Sequence, residues 1–500
     1  MRRLTPLMGW ASWNCFRTDI SEERMKEQAD ALVQTGLSEC GYTYLNMDDG
    51  FFGGRDANGR LLFHKKRFPN GIKPVADYAH MKGLKAGIYA EAGDNTCGYY
   101  YDAEGSNAEG VGLFGYEEQD LRMYLDEFSF DFIKVDWCGG VRLGLDEEEQ
   151  YTKIGNIIEL LRKETGRCLV YNICRWQFPG PWAASVADSW RTAADICPEF
   201  TSILHQLDNI KPLRKYCGPG HVNDLDMMQL GNGMSLTEEK THFSMWCMMS
   251  APLIVGCDLT KINQGTLQIL KNKEMIAVNQ DSACIQAFVS KEFREEKGKL
   301  LGEIWVKDLG ETNSERKAVA FLNRSEDYLT MSVEPFEIGF SGRFLRVRDL
   351  WKQEEVLNAE KGMQKVDEKS MVITVEPRGV EVFIIEGEKA IEINDIFILS
   401  GGTDIDTTVN EISRKQLKKF ISEGAMLVDV RTPEEYALGH EEGAINLPYM
   451  DIHGMATKYL LNKEEPVIVY CSTGKRCSQA GQSLKYLGYK EVYKVTGVRL

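Results

Sequence analysis

Apolar strand-like runs at residues 41–49, 84–89, 130–136, 168–174, 187–191 and 252–255 alternate with helix-period stretches at 21–35, 74–82, 117–128 and 147–163. No other feature of the chain restricts its fold as much. A chain that repeats strand then helix from residue 8 to about 275 must build a parallel sheet covered by helices. At that length the sheet closes as a (β/α)8 TIM barrel. The first helix opens on Ser21-Glu22-Glu23-Arg24, a hydroxyl to cap free N–H groups and acids to oppose the helix dipole.

One of these runs carries chemistry. Phe132-Ile133-Lys134-Val135-Asp136-Trp137-Cys138 is an apolar strand ending in a carboxylate. Side chains on a strand alternate faces, so Lys134, Asp136 and Cys138 point the same way. A cation beside a carboxylate keeps it ionised and nucleophilic at neutral pH. Barrels present catalytic groups at the C-terminal ends of their strands. Asp48, Asp49, Asp195 and Asp226 also fall where strands should end. A retaining sugar-cleaving enzyme needs two carboxyl groups roughly 5–5.5 Å apart. It also needs acceptors for hydroxyls and an aromatic wall for the ring.

The pattern changes after residue 282. Short strands at 300–306, 317–322, 328–333, 343–350 and 372–385 predict an antiparallel β-sandwich over 283–386. Residues 387–409, with Gly401-Gly402-Thr403-Asp404, read as a linker, and 410–500 as a small α/β domain. Residues 1–282 are then the catalytic barrel. The net charge of -16 excludes nucleic acid and anionic membrane surfaces as partners. It suits a neutral or cationic small molecule. The longest apolar stretch is too short to span a bilayer. No apolar segment follows Met1-Arg2-Arg3, and thirteen scattered cysteines suit reduced thiols, so a cytoplasmic location is expected. The seven histidines are dispersed and form no metal set, and the chemistry needs no cofactor. Nothing in the sequence sets the oligomeric state.

The segments Met8-Gly9-Trp10-Ala11-Ser12-Trp13-Asn14, Tyr44-Leu45-Asn46-Met47-Asp48-Asp49-Gly50, Gly87-Ile88-Tyr89, Thr96-Cys97-Gly98, Lys134-Val135-Asp136, Ser189-Trp190-Arg191-Thr192 and Asn223-Asp224-Leu225-Asp226-Met227 occur in this order. Together they resemble the melibiase-type α-galactosidases, glycoside hydrolase family 27, over residues 8–386. The resemblance implies a retaining hydrolase that releases terminal α-linked galactose from small oligosaccharides by double displacement. Asp136 would be the nucleophile and Asp195 the acid/base, protonated in the first step. Asp48 and Asp49 would accept from the 4- and 6-hydroxyls, Lys134 would donate to a hydroxyl, and Trp13 would lie under the ring. Tyr89, Arg191 and Asp226 would complete the shell. Cys97 and Cys138 match a pair that is bridged in relatives. The chain departs from the family at Arg175, where many relatives carry a glutamate that reads the sugar 2-position. Phe178 argues against room for an N-acetyl group, and Tyr99, Tyr100 and Tyr101 are expected to shape outer subsites.

Cys471-Ser472-Thr473-Gly474-Lys475-Arg476-Cys477 follows an apolar strand and precedes a helical stretch. Backbone N–H groups, a helix N-terminus and two cations lower a thiol pKa and hold an anion. With Leu427-Val428-Asp429-Val430-Arg431 and Gly443-Ala444-Ile445-Asn446-Leu447-Pro448, this unit resembles a single-domain rhodanese. That implies a persulfide on Cys471 taken from a sulfur donor, cradled by loop amides and Arg476, with Lys475 adding positive charge. Asp429 and Arg431 would be a structural pair, and Cys477 would either resolve the persulfide or pack. Two other readings stand beside the galactosidase. One is an α-N-acetylgalactosaminidase or β-L-arabinopyranosidase with the same mechanism. The other is a sulfurtransferase with a sugar-binding barrel.

Overall fold

Eight short strands form the first sheet: Met8–Ala11 (β1), Tyr44–Met47 (β2), Lys85–Glu91 (β3), Phe132–Asp136 (β4), Val170–Ile173 (β5), Ser189–Arg191 (β6), Val222–Asp224 (β7) and Leu253–Val255 (β8). Every neighbouring pair is parallel, from β8 through β1 round to β7. Met228, just past β7, bridges Val255 of β8 in parallel and completes the ring. The computed structural model describes residues 3–311, 314–359, 361–389, 409–448, 452, 456, 459–471, 475–486 and 488–495.

Period-two alternation explains why these strands close into a barrel with a polar mouth. On β4, Ile133 and Val135 face the helix-covered core, while Phe132 packs inside the barrel with Tyr44, Val170 and Ile254. Phe132 meets the Tyr44 ring edge-on, 6.5 Å between centroids. Moving up the inner face of β4, an apolar floor gives way to Lys134 and then to Asp136 at the rim. The loops after β3 and β4 abut because Gly93 has no side chain: a Cβ there would sit 2.1 Å from Gly140 N.

The covering helices start and stop where their chemistry says. Ser21 accepts from Arg24 N at the head of helix Glu22–Gln34. Asp146 caps Glu147–Thr165, and Gly166, at φ 69°, ends it. The stretch expected as one helix over 117–128 is α-helical at Glu117–Arg122 and widens to a π-turn at Met123–Glu127. Strands β1 and β7, four and three residues long, lie outside the expected runs.

Phe288–Arg294, Leu300–Asp308, Arg316–Asn323, Val380–Lys389, Phe340–Asp349, Glu354–Asn358 and Met363–Gln364 form an antiparallel sheet in that spatial order. Leu329–Val333 pairs with Met371–Val375 to give the second layer. The run expected over 372–385 is therefore two strands, broken at Pro377-Arg378-Gly379, where Arg378 takes φ 57°. Lys307 ties this sheet to the barrel. Fully buried, it donates to Val278 O at 2.7 Å, Ser250 Oγ at 2.7 Å and Cys247 O at 3.2 Å. Burial lowers its pKa to about 8.

The chain divides into units 1–389 and 390–500. Of the linker expected over 387–409, residues 390–408 lie outside the described residues. In the second unit, Asn410–Glu411, Val492–Val495, Val467–Tyr470, Met426–Asp429 and Ile445–Asn446 form a parallel sheet in that order. Helix Arg414–Ser422 carries the capping box Ser413–Gln416, and helix Lys475–Tyr486 follows the central strand.

Candidate active site

A cleft of about 370 Å³ opens at the C-terminal ends of the barrel strands, and both Asp136 and Asp195 line it. Asp136 ends β4 and is 4% exposed. Its Oδ1 accepts from Trp137 N at 2.9 Å. Burial raises its pKa to about 6; nearby Lys134 opposes the rise, and the charge of Asp195 adds to it. Asp136 is thus ionised at neutral pH but held there at a cost.

The cation expected beside Asp136 is engaged elsewhere. Lys134 Nζ donates to Asp48 Oδ2 at 2.9 Å. Burial lowers the lysine's pKa, but the charge of Asp48 more than offsets this and holds it well above the ordinary value. Lys134 therefore stabilises the Asp136 charge through space, and its direct partner is the Asp48 acceptor.

Asp195 is the exposed carboxyl of the cleft, its side chain 64% accessible. It sits on the loop after β6, four residues past Arg191, whose Nη2 donates to it at 3.1 Å. Buried Arg191 also pairs with Asp226 Oδ2 at 2.9 Å. Asp226 adopts φ 81°, rare for a residue with a side chain. That turn lets its Oδ1 accept from Met227 N and its Oδ2 from Ile196 N. Asp226 thus lines the cleft and anchors the loop that carries Asp195. Burial raises its pKa to about 6, against the pull of Arg191.

Trp13 lines the cleft just past β1, and so does Tyr89 from β3. The Tyr89 hydroxyl accepts from Cys97 N at 3.3 Å. Cys97 and Cys138 are bridged across the mouth. Cys97 Sγ lies 3.3 Å from Asp136 Oδ2, a packing contact because a bridged sulfur carries no proton. The other eleven cysteines are unbridged.

Three expectations are corrected. Asp49 does not line the cleft. It is fully buried, with Oδ1 accepting from Gly50 N and Oδ2 from Gly98 N, both at 2.7 Å. Burial pushes its pKa to about 7. Its work is to hold the Cys97 loop. Arg175 does not line it either: its Nε donates to Glu147 Oε2 at 2.9 Å, and the end of β5 presents Cys174 and Trp176 instead. Phe178 stacks on Tyr216, 4.8 Å between centroids. Of the three tyrosines, Tyr101 alone lines the cleft; Tyr100 lies under the Arg142 guanidinium.

Arg17 and Glu91 belong to none of the sequence motifs. Arg17 leaves the turn after Trp13 at φ 49° and lays its guanidinium 4.6 Å from the Trp13 ring centre while binding Asp102. Buried Glu91 accepts from the backbone N–H of Gly93 and Cys138 at 2.8 Å and of Gly140 at 3.2 Å. It ties the β3 and β4 loops together beneath Asp136. Extending the 84–89 run to its first acid would have found it.

In the second unit, Cys471 follows Val467–Tyr470 and is buried. Residues 472–474 lie outside the described residues, and Lys475 is described only as the first residue of its helix. The Arg476 guanidinium forms a two-point ion pair with Glu435. Asp429 and Arg431 are paired at 2.6 Å.

The sequence profile of the family described as alpha galactosidase A matches residues 5–281, more than half of the chain. The chain belongs to that family. The alpha galactosidase C-terminal β-sandwich domain matches residues 302–385, and a rhodanese-like domain occupies 413–497. The chain is 38% identical over 383 residues to α-galactosidase A of Cellvibrio japonicus, covering 71% of this chain and 88% of that one. Among solved structures, α-galactosidase I of Mortierella vinacea superposes with a TM-score of 0.67 at 28% identity, over 77% of this chain and 98% of its own. The α-galactosidase of Saccharomyces cerevisiae, solved with raffinose, gives 0.62 at 25% identity, over 76% and 97%. As an α-galactosidase family member, the chain is a glycosidase built on a TIM barrel.

Proposed function

We propose that the barrel releases terminal α-linked galactose from small oligosaccharides with net retention. The observation that carries this is the shared cleft of Asp136 and Asp195, one carboxylate buried and the other open to solvent. Asp136 attacks the anomeric carbon; Asp195 protonates the departing oxygen and then takes a proton from water. Trp13 lies under the apolar face of the sugar. The Lys134–Asp48 pair offers a donor and an acceptor together, which suits an axial 4-hydroxyl. At the end of β5, Cys174 and Trp176 line the cleft beside the Arg191 guanidinium, which supports them as the residues that face the sugar 2-position. The S. cerevisiae relative's raffinose complex supports a small oligosaccharide as substrate. The charge of -16 and the eleven unbridged thiols support a cytoplasmic location.

The test is turnover of nitrophenyl α-D-galactoside, α-N-acetyl-D-galactosaminide and β-L-arabinopyranoside, with proton NMR of the first sugar released. Galactose in the α configuration is expected. Preference for either other sugar, or β-galactose as first product, would overturn the reading.

The rhodanese-like domain supports a second activity, in which Cys471 accepts the sulfane sulfur of a donor such as thiosulfate. Asp136→Asn should abolish sugar hydrolysis and leave thiosulfate consumption intact; loss of both would overturn the two-site reading.

A further inference from the structure

The central strand Val467–Tyr470 is fully buried between its neighbours, and Cys471 leaves its C-terminal end buried as well. Helix Lys475–Tyr486 then carries Cys477 back toward it. The two sulfurs lie 2.8 Å apart, far inside a van der Waals contact, and both thiols are 0% exposed. The one other partner described for Cys477 Sγ is Val495 O, at 3.9 Å.

We infer that Cys477 is a resolving thiol, so that sulfur loaded on Cys471 leaves as sulfide while a Cys471–Cys477 disulfide forms. This rests on the reading of Cys471 as the sulfur acceptor. Burial supplies the reason for an internal partner. A bulky external thiol must reach a sulfur with no exposed surface, whereas Cys477 already touches it. The hydrogen bond to Cys471, and then burial, hold the Cys477 proton well past the ordinary thiol range. Cys477 donates across this contact, so Cys477 carries the proton that departs.

The balance is complete with a sulfane-sulfur donor as co-reactant. The Cys471 thiolate attacks the outer sulfur of thiosulfate; the S–S bond of the donor breaks and sulfite leaves with its electron pair. Cys477 Sγ then attacks Cys471 Sγ. The bond to the added sulfur breaks, and that sulfur leaves with the electron pair and the Cys477 proton as HS⁻. The two cysteines are oxidised by two electrons, and the sulfane sulfur is reduced to sulfide. An external dithiol restores the pair.

Full-length protein, prereduced and freed of reductant, is treated with thiosulfate, alkylated and digested with trypsin. Lys475 and Arg476 lie between the two cysteines, so peptides 464–475 and 477–485 separate unless they are bridged. The expected result is one sulfite and one sulfide per chain and a bridged peptide pair. Cys477→Ser should release sulfite, no sulfide, and keep the mass of one sulfur atom on peptide 464–475. Wild-type protein that holds this extra mass without a bridge, or a variant that releases as much sulfide, would overturn the inference. If neither protein releases sulfite, thiosulfate is refuted as donor, and sodium polysulfide loads the sulfur instead. A bridged pair then supports the resolving role, and its absence under both loads refutes it.

Discussion

Replacing Asp136 by Asn should stabilise the barrel at neutral pH while abolishing hydrolysis. The carboxyl's pKa rises from 3.8 to about 6 in the fold, chiefly through burial. A group raised in this way favours the fold below its unfolded pKa and loses that contribution as pH climbs through its folded pKa. The folded protein binds more protons than the unfolded chain between pH 3.8 and about 6, so stability falls with pH across this window. One pKa unit corresponds to about 1.4 kcal/mol, which puts the penalty near ~3 kcal/mol at pH 7 and under ~1 kcal/mol at pH 4. Asn keeps the shape and an oxygen for Trp137 N, and Lys134 keeps Asp48. Asp136→Asn should then gain about 2–3 kcal/mol at pH 7 and almost nothing at pH 4. Urea unfolding followed by tryptophan fluorescence measures this cleanly, because all nine tryptophans lie within residues 1–389. A variant no more stable than wild type at pH 7, or one with the same gain at pH 4, would refute the claim that a buried charge is being held at a cost.

Four further outcomes follow from the same geometry. Because attack needs ionised Asp136, kcat/KM on an aryl galactoside should fall tenfold per unit below about pH 6; a flat profile down to pH 5 would count against Asp136 as nucleophile. Asp195→Ala should slow galactosides with poor leaving groups far more than dinitrophenyl galactoside, which departs without a proton; equal losses would remove Asp195 from the acid role. Reducing the Cys97–Cys138 bridge opens a loop of 41 residues and should cost roughly 4 kcal/mol by chain entropy, together with activity, since the bridge packs on Asp136; an unchanged urea midpoint in dithiothreitol would contradict this. Arg175→Ala should leave the preference among the three nitrophenyl glycosides unchanged, because Arg175 is bound to Glu147 outside the cleft; an altered preference would bring the arginine back into the site.

Local patterning carried the barrel. Strand-then-helix alternation, Ser21 as a cap and the acids closing the 41–49 and 130–136 runs are properties of neighbouring residues, legible without coordinates. The apolar period of two also put Asp136 at a rim, since one face of β4 has to be inside. Partner choice was not legible, because it depends on which strands stand side by side. Lys134 lies two residues from Asp136 in sequence yet donates to Asp48, carried by a strand two places round the sheet. Arg175 matches a sugar-reading position by motif, but the helix that begins at Glu147 supplies a carboxylate that turns it away. Glu91 and Asp226 act on backbone N–H groups of distant loops, and no sequence spacing encodes such contacts. The chain alone determined which residues form strands and which bear charge. Only folding decided which charges meet, because in a buried site the nearest counter-charge in space, whatever its place in the chain, sets each group's bonds and proton.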